Sequence, residues 1–466
     1  MEMSILKKVK LLCIYNIYMA IISIPIISLM VNGKQLPSVM SELSNYFLGL
    51  AMLFWGIKKL IKYEKIYIPR DGSIKIFILF ICALLLSGIA NIDVIYQSRY
   101  MDVNGFERFT SRFFLFCFFL IIYVCIYDIF MRNKARIIAA LPMCIFVSFI
   151  IAVIYSFFEI GGGFLQIGWM RDAMFMVDQF IHPQPFVFRL RSICLEPSMF
   201  GIYASLVLPW LLYLVKHPKS YVKFTCLFLI FCLFVMVMLT LSRQTYVIFF
   251  FEFMILACIY RSLFYKYKCY LICIFLFVLF MSGIFENYMT TTSASYNLDI
   301  FSVINTLFAL DNESNLARYG GQVAGINAFF DNPLFGVGFG QYAFRYDEFL
   351  PSWALKSEEI VATLMGVGRM PMTHSLYARL LAETGILGLS CWLALWLNII
   401  IKLYDRYKIF KLTNSPNEML FVSNLIVSIG VLLFNWSSWE SMTIFVIWLL
   451  LALSSMILNG GNAYEK

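Results

Sequence analysis

The chain has 466 residues, of which 61% are hydrophobic and 14% are charged. Soluble globular domains have about 25% charged and about 45–50% apolar residues, so this composition excludes a soluble globular protein and indicates an integral membrane protein. The net charge of +9 does not by itself separate a nucleic-acid-binding protein from a membrane protein, because the distinction depends on where the charges lie.

Hydrophobic segments long enough to cross a membrane recur along the whole chain. Crossing the hydrocarbon core takes about 20 apolar residues, and the sequence predicts twelve such spans. They cover residues 11–31, 43–61, 74–92, 113–131, 137–158, 198–216, 222–241, 245–262, 269–285, 380–401, 418–436 and 442–458. The first span lacks the short core and the cleavage site of a signal peptide, so it is predicted to stay in the protein. The predicted fold is an all-α polytopic membrane protein with both termini on one side.

The charges between the spans predict the orientation. Membrane proteins concentrate Lys and Arg in their cytoplasmic loops. With the N-terminus inside, roughly two-thirds of the 36 Lys and Arg residues fall in inner segments, and most of the 27 acidic residues fall outside. We therefore interpret the basic residues as topology determinants beside anionic lipid, with both termini cytoplasmic, and nucleic acid is not an expected partner.

The predicted spans divide the chain into three regions. Residues 1–285 hold nine spans and an external loop at 159–197, residues 286–379 form a large external loop between spans nine and ten, and residues 380–466 hold three more spans. No internal repeat and no low-complexity linker is visible.

The large external loop contains one segment with helical periodicity, SNLARYGGQVAGINAFFDNP. Leu316, Tyr319, Val323 and Ile326 recur at the spacing of a helix, and the Asp-Asn-Pro sequence that begins at Asp331 stops it. The segment therefore predicts an amphipathic helix that lies on the membrane surface.

The segment FVFRLRSICLEPSMFG, residues 186–201, carries two arginines and a glutamate. Apolar residues alternate with Arg189 and Arg191, which predicts an extended segment with both arginines on the same side. Proline is favoured in the first turn of a helix, so Pro197 predicts Glu196 at the start of the sixth span. An alternative interpretation stays open, in which Glu196 only complements the helix dipole and the arginines bind lipid headgroups.

Two more arginines fall on the predicted external side. Arg243, in LTLSRQTYV, lies at the tip of a tight turn between spans seven and eight, and Arg318 lies on the amphipathic helix. An arginine on an outer turn is also typical of an interfacial anchor. Downstream, Gly336, Gly338 and Gly340 form a G-x-G-x-G pattern without the preceding strand of a βαβ unit, which excludes a dinucleotide loop and predicts a tight turn.

The segment MTHSLYARLLAETGILG contains His374, one of three histidines in the chain, just before the tenth span. Arg379 and Glu383 follow it one helical turn apart and are predicted to pair. His374 could also be an ordinary interfacial residue. Glu252 lies in the middle of span eight, where a carboxylate is functional by default or takes part in a structural hydrogen bond.

The predicted external side carries four arginines and a histidine suited to one chemistry. The arginines are Arg189, Arg191, Arg243 and Arg318. A guanidinium binds phosphate through two parallel hydrogen bonds and stays charged, and no D-x-D pair is present to hold a metal against a diphosphate. His374 is suited to act as a general base, and Glu196 is the rival base. The 12 cysteines show no zinc-site spacing and are interpreted as buried free thiols. The four arginines, with His374 or Glu196 as the base, suit glycosyl transfer from a diphospholipid without a metal or a cofactor.

Several motifs in order resemble the bacterial O-antigen polymerase and O-antigen ligase superfamily. They are the R-x-R before LEPSMFG, SRQTYV at a hairpin tip, ARYGGQVAGINAFFDNPLFGVGFGQY and THSLYARLLAETGILGL, and they run from Arg189 to Leu389. The resemblance implies a multispanning enzyme of the glycosyltransferase C type. Such enzymes use undecaprenyl-diphosphate-linked oligosaccharides at the periplasmic side of the bacterial inner membrane.

The resemblance also implies roles for particular residues. By motif, binding of the donor diphosphate would fall to Arg191, Arg243 and Arg318, and assistance to the acceptor would fall to His374. Ligases and many relatives have His-Asn where this chain has His374 followed by Ser375, so the chain departs from the family pattern at this position.

The predicted function is polymerisation of O-antigen or another surface polysaccharide, in which lipid-linked chains are transferred onto a lipid-linked repeat unit. One alternative is an O-antigen ligase, whose acceptor is lipid A-core. Another is a lipid-linked oligosaccharide flippase, although transporters commonly show internal repeats. Expected partners are undecaprenyl-diphosphate-linked oligosaccharides and membrane lipid, with a chain-length regulator protein as a further candidate.

Overall fold

The computed structural model describes residues 2–31, 33–36, 39–182, 188–216, 218–261, 313–367 and 370–459. The predicted span 269–285 lies outside these ranges, as do residues 286–312 of the predicted large loop.

The described residues form sixteen α-helices and very little strand. The helices are α1 (Glu2–Ile22), α2 (Leu43–Lys62), α3 (Ser73–Ala90), α4 (Ile92–Gln97), α5 (Gly105–Met131), α6 (Lys134–Glu159), α7 (Gly168–Ile181), α8 (Pro197–Val215), α9 (Ser220–Leu239), α10 (Arg243–Ile259), α11 (Glu313–Asp331), α12 (Tyr346–Phe349), α13 (Glu358–Leu364), α14 (Leu376–Leu412), α15 (Pro416–Asn435) and α16 (Phe445–Asn459). A π-helical turn (Ile160–Phe164) follows α6, and 3-10 turns cover Tyr342–Phe344 and Ser352–Lys356. Two antiparallel hairpins pair β1 (Met30–Val31) with β2 (Lys34–Gln35) and β3 (Arg99–Tyr100) with β4 (Val103–Asn104).

Within the described ranges, seven helices are long and apolar enough to cross a membrane, namely α3, α5, α6, α8, α9, α14 and α15. The prediction of an all-α polytopic membrane protein is confirmed at this level. The remaining predicted spans in the described ranges overlap α1, α2, α10 and the shorter apolar helix α16. The number of twelve spans stays a prediction.

The first helix is displaced from its predicted position. The hydrophobic run predicted a span at 11–31, whereas α1 ends at Ile22 and the chain then leaves the helical conformation before reaching β1. Pro25 explains the early end, because proline disfavours the helical conformation of the residue before it and cannot donate a backbone hydrogen bond. Hydrophobicity alone therefore placed the end of this helix too late.

The helices differ in how deeply they are buried. In α8, 78% of the apolar segment is buried, against 39% in α3 and in α9. Large apolar side chains on those outer helices are exposed, for example Leu79 and Ile89 on α3 and Phe224 on α9. Such exposed apolar surface is expected where lipid covers the protein. The bundle therefore has a central helix surrounded by helices that face outward.

The predicted amphipathic helix exists as α11, and it ends at Asp331 as predicted. Its buried face differs from the predicted one. Of the predicted apolar positions Leu316 is buried, but Ile326 is exposed. The buried positions are instead mostly small residues: Ala317, Gly320, Gly321, Ala324, Gly325 and Ala328. Small side chains let backbones approach closely, which a search for large apolar residues does not detect.

Candidate functional site

A cavity of about 870 Å³ opens at one end of the helix bundle. Its wall consists of the N-terminal ends of α5, α8 and α14, one face of α11, and the turn between α15 and α16. Three residues predicted for catalysis or binding line this cavity: Glu196, Arg318 and His374. The fold therefore brings together groups that are far apart in the sequence.

His374 is held in place through its backbone. Its φ of 54° lies in the left-handed region, which histidine adopts more readily than most residues do. The backbone nitrogen of His374 donates to Glu440 Oε2 at 3.2 Å, and Thr373 donates to the same oxygen from its backbone nitrogen and its hydroxyl, both at 2.7 Å. A carboxylate on the α15–α16 turn thus fixes the segment that carries the imidazole. Sequence reasoning did not identify Glu440, because no local motif marks it.

Ser375 caps the helix that follows His374. Its hydroxyl accepts a hydrogen bond from the backbone nitrogen of Ala378 at 3.5 Å and donates to the carbonyl oxygen of Trp436 at 3.2 Å. Serine and asparagine are both good N-caps. Ser375 therefore provides a capping residue directly after the histidine.

The surroundings of His374 favour its neutral form. Burial is the main cause that lowers the pKa of His374 below its ordinary value. Glu440 acts in the opposite direction and Arg318 adds to the lowering. A lowered pKa favours the neutral imidazole, in which one ring nitrogen is free to accept a proton.

Arg318 is placed by the close approach of α11 to the His374 segment. The hydroxyl of Tyr342 donates to the carbonyl oxygen of Gly321 at 2.7 Å. A Cβ atom built at Gly321 would lie 2.5 Å from the carbonyl oxygen of Met372. The absence of a side chain at Gly321 therefore lets α11, and with it Arg318, lie directly against the segment of His374.

We expect Gly321→Ala to lower the free energy of unfolding by about 1–3 kcal/mol, because overpacking against a fixed backbone atom costs this much. The measurement is the unfolding temperature in detergent. Gly430→Ala on α15 is a matched control, since its added Cβ would meet no atom within 4 Å and alanine is the better helix former. Equal unfolding temperatures for the two variants would contradict the close contact.

Glu196 lies at the start of α8 as predicted, with Pro197 as the first helical residue. Its side chain makes no capping hydrogen bond to the first turn of the helix, and it lines the cavity. A negative charge at a helix N-terminus is favourable in any case. The structure therefore keeps Glu196 available both to complement the dipole and to contact a ligand.

Arg189 and Arg243 lie beside the cavity and are not part of its lining. Arg189 donates from Nε to the carbonyl oxygen of Thr240 at 3.1 Å and from Nη2 to that of Leu241 at 3.2 Å. Burial and then the charge of Arg318 lower the pKa of Arg189, and Arg243 adds to this effect. The predicted tight turn is confirmed, because Arg243 begins α10 directly after the Ser242 cap. Together with Arg318, these two arginines form a concentration of positive charge next to the cavity.

Arg189 and Arg191, predicted on the same side of one extended segment, contact different parts of the protein, Arg189 the turn before α10 and Arg191 the helix α7. Phe188 and Ser192 have φ values of 52° and 55°, so the predicted extended segment is interrupted on either side of residues 189–191. Residues 186 and 187 of the same prediction lie outside the described residues. The backbone nitrogens of Arg191 and Ser192 donate to the carboxylate of Glu159 at 3.1 and 2.8 Å.

The side chain of Arg191 is buried, with Nη2 3.6 Å from Asp178 Oδ2. Asp178 also contacts Nδ1 of His182 at 2.7 Å, and Nε2 of His182 lies 2.8 Å from the carbonyl oxygen of Cys194. This buried cluster joins α7 to the loop before α8. Arg191 therefore belongs to the support of the site and not to the lining of the cavity.

Arg191→Ala is expected to destabilise the protein by about 3–5 kcal/mol, the cost typical of removing one partner of a buried ion pair, because Asp178 then loses its arginine and, among the described residues, keeps only its contacts with His182 and Tyr155. The amount of protein in the membrane fraction and its unfolding temperature measure this effect. Arg189→Ala is the control, because its hydrogen bonds are to carbonyl groups of a turn and no buried carboxylate loses its partner. If both variants unfold at the wild-type temperature, Arg191 does not have this structural role.

Several residues that line the cavity were not identified from the sequence as candidate site residues. Besides Glu440, they include Arg108, Arg112 and Glu42. The pair predicted between Arg379 and Glu383 is confirmed, with Nε 3.1 Å from Oε2, and both residues line the cavity. The R-x-x-x-R spacing of Arg108 and Arg112 is a signal that could have been read once their segment was known to be helical.

The glycine-rich segment forms the predicted tight turn. Gly336, Gly338 and Gly340 have φ values of +66°, +108° and +77°, which side chains rarely permit. A Cβ atom at Gly336 would lie 2.4 Å from the carbonyl oxygen of Ala382. The turn therefore packs against α14.

Glu252 lies on α10 and is not among the residues that line the cavity. It is almost completely buried. Neither of its carboxylate oxygens has a hydrogen-bond partner among the described residues. The structural hydrogen bond proposed as an alternative is therefore not present in the described part of the chain.

Residues 228–393 match a family model described as O-antigen ligase. This segment includes Arg243, Arg318 and His374, and it confirms the resemblance to the O-antigen polymerase and ligase superfamily. No curated protein matches the chain. The match supports a polysaccharide polymerase or ligase, and it does not separate the two.

Proposed function

We propose that this integral membrane protein is a polysaccharide polymerase at the periplasmic face of a bacterial inner membrane. It would transfer a glycan from undecaprenyl diphosphate onto a second lipid-linked repeat unit. The observation that carries this proposal is the cavity shared by Glu196, Arg318 and His374. Two of these three residues lie in the segment that matches the O-antigen ligase family.

The residues of the cavity suit an inverting or retaining transfer without a metal. A hydroxyl of the acceptor sugar attacks the anomeric carbon of the donor, and the bond from that carbon to the diphosphate oxygen breaks. The neutral imidazole of His374 takes the hydroxyl proton, with Glu196 as the rival base. Arg318, reinforced by Arg189 and Arg243, stabilises the charge that develops on the leaving diphosphate.

The charge distribution of the bundle supports an outward-facing cavity. At the end opposite the cavity, the buried carboxylate of Asp128 pairs with Lys59 at 2.8 Å and with Arg132 at 3.1 Å. Further basic residues, Lys62 and Lys65 among them, lie at the same end. Because basic residues are concentrated on the cytoplasmic side, the cavity would open on the other side, where lipid-linked glycans are polymerised.

The second candidate is an O-antigen ligase, which is the description that the matching family model carries. Polymerase and ligase use the same donor and the same leaving group, so the arginines and His374 serve both reactions. They differ in the acceptor, which is a lipid-linked repeat unit for the polymerase and lipid A-core for the ligase.

The test uses purified protein in liposomes that contain undecaprenyl-diphosphate-linked repeat units. A ladder of longer lipid-linked chains, formed without added metal, is the result expected for a polymerase. Transfer that requires added lipid A-core would identify a ligase. Movement of the repeat unit across the bilayer without elongation would identify a flippase and contradict the proposal.

A further inference from the structure

Two arginines on α5 face the cavity and had no role in the proposed reaction. Arg108 and Arg112 lie one helical turn apart, and both line the cavity. Residues at this spacing share one face of a helix. Within the part of the chain that the structure describes, the guanidinium of Arg112 makes no ion pair and no hydrogen bond.

The glycine turn positions this pair. Nε of Arg108 donates to the carbonyl oxygen of Gly340 at 2.9 Å. A Cβ atom at Gly340 would lie 3.4 Å from Cγ of Arg112 and 3.6 Å from Cγ of Arg108, so the bare glycine lies against both side-chain stems. Gln341 donates to the carbonyl oxygen of Gly105 at 2.9 Å, at the start of the same helix. The turn that sequence reasoning left without a function is therefore the support of the arginine pair.

The neighbouring carboxylates already have partners. Glu383 accepts from Nε of Arg379 at 3.1 Å. Glu440 accepts from Thr373 and from the backbone of His374. Three guanidinium groups, on Arg108, Arg112 and Arg379, thus share this part of the wall with two engaged carboxylates. A surplus positive charge beside a cavity is suited to bind an oxyanion, which arginine holds through paired hydrogen bonds.

We propose that Arg108 and Arg112 form a second oxyanion subsite, which binds an anionic group of the acceptor. This inference rests on the proposed polymerase function, in which two diphospholipids must be bound at once. The donor diphosphate is assigned to Arg318 on α11, a different wall of the cavity. The oxyanion at Arg108 and Arg112 is the diphosphate of the acceptor lipid or an acidic substituent on its sugars, since guanidinium recognises both in the same way.

The test counts ligands on the purified protein in phosphatidylcholine nanodiscs by native mass spectrometry. With undecaprenyl diphosphate as the probe, two bound molecules are expected for the wild type and one for Arg112→Gln if the subsite takes the acceptor diphosphate. If it takes an acidic sugar, the wild type binds one undecaprenyl diphosphate, and a soluble uronic-acid disaccharide binds to the wild type and not to Arg112→Gln. Identical binding of both probes to both proteins would overturn the inference.

A kinetic measurement separates a binding role from a structural one. Arg112→Gln is expected to raise the KM for the acceptor about 10- to 100-fold, the range that corresponds to loss of a charged hydrogen bond, with less effect on kcat. Arg112→Lys should recover part of the affinity. Arg345→Gln is the control, because that guanidinium pairs with Glu348 and does not line the cavity.

Two outcomes are distinguishable. If the wild type does not elongate chains, the proposed function is overturned. If the wild type elongates chains and Arg112→Gln has the same KM for the acceptor, only the subsite is overturned.

Discussion

Replacing His374 by glutamine is expected to reduce chain elongation by about 10²–10⁴-fold, the usual contribution of a general base. Glutamine cannot take the proton of the acceptor hydroxyl, although the backbone contacts of residue 374 with Glu440 remain possible. The measurement is the initial rate of elongation in proteoliposomes at saturating donor. Unchanged protein levels and an unchanged unfolding temperature are the controls. A variant with more than about one-tenth of the wild-type rate would mean that Glu196 or another group is the base.

The pH dependence of the wild-type rate follows from the same residue. Burial lowers the pKa of His374 from an ordinary value of about 6.5, and the reaction requires the unprotonated form. The rate should therefore fall as the pH is lowered, with the midpoint of the fall below about 6.5. Glu440→Gln should move this fall to still lower pH, because Glu440 raises the pKa of His374. A rate that declines as the pH rises through neutrality would contradict the role of a neutral imidazole.

Arg318→Gln is expected to lower kcat for chain elongation by about 10²–10³-fold, which is typical when a preorganised donor to a developing anion is removed. The structural reason is that α11 holds Arg318 in the cavity wall beside the His374 segment. Arg318→Lys should retain part of the activity, since a lysine keeps the charge and loses the paired hydrogen bonds. The measurement is kcat and the donor KM in proteoliposomes.

The control for Arg318 lies in the same described segment, residues 313–367. Arg345→Gln removes a guanidinium that pairs with Glu348 at 2.7 Å and does not line the cavity, so its kcat should equal that of the wild type. If Arg318→Gln retains wild-type kcat and donor KM, the donor diphosphate is not bound at α11.

The parts of the fold that depend on local sequence were predictable. Hydrophobic runs located the long apolar helices, the Asp-Asn-Pro sequence marked the end of α11, and the turn before Arg243 followed from the short gap between two spans. These features rest on neighbours within a few residues, so a single sequence contains the information. The early end of α1 was missed because Pro25 lies inside an otherwise apolar run.

The candidate site depends on contacts that a single sequence does not contain. Glu440 reaches His374 from 66 positions away, and Arg108 meets Gly340 across 232 positions. No motif links these pairs, because the contacts exist only after the helices have packed. Arg191 shows the same dependence on packing, because its buried partner Asp178 lies on a different element, α7.

Photo-crosslinking of the substrate would locate the reaction most directly. The probe is an undecaprenyl-diphosphate-linked repeat unit with a diazirine on the first sugar, added to the purified protein in nanodiscs. We predict labelling of the peptides that carry Glu196, Arg318 or His374, and loss of that labelling when unmodified lipid-linked repeat unit is added in excess. Labelling confined to peptides around Glu252 or at the opposite end of the bundle, with the cavity peptides unlabelled, would contradict the assignment of the cavity as the site of glycan transfer.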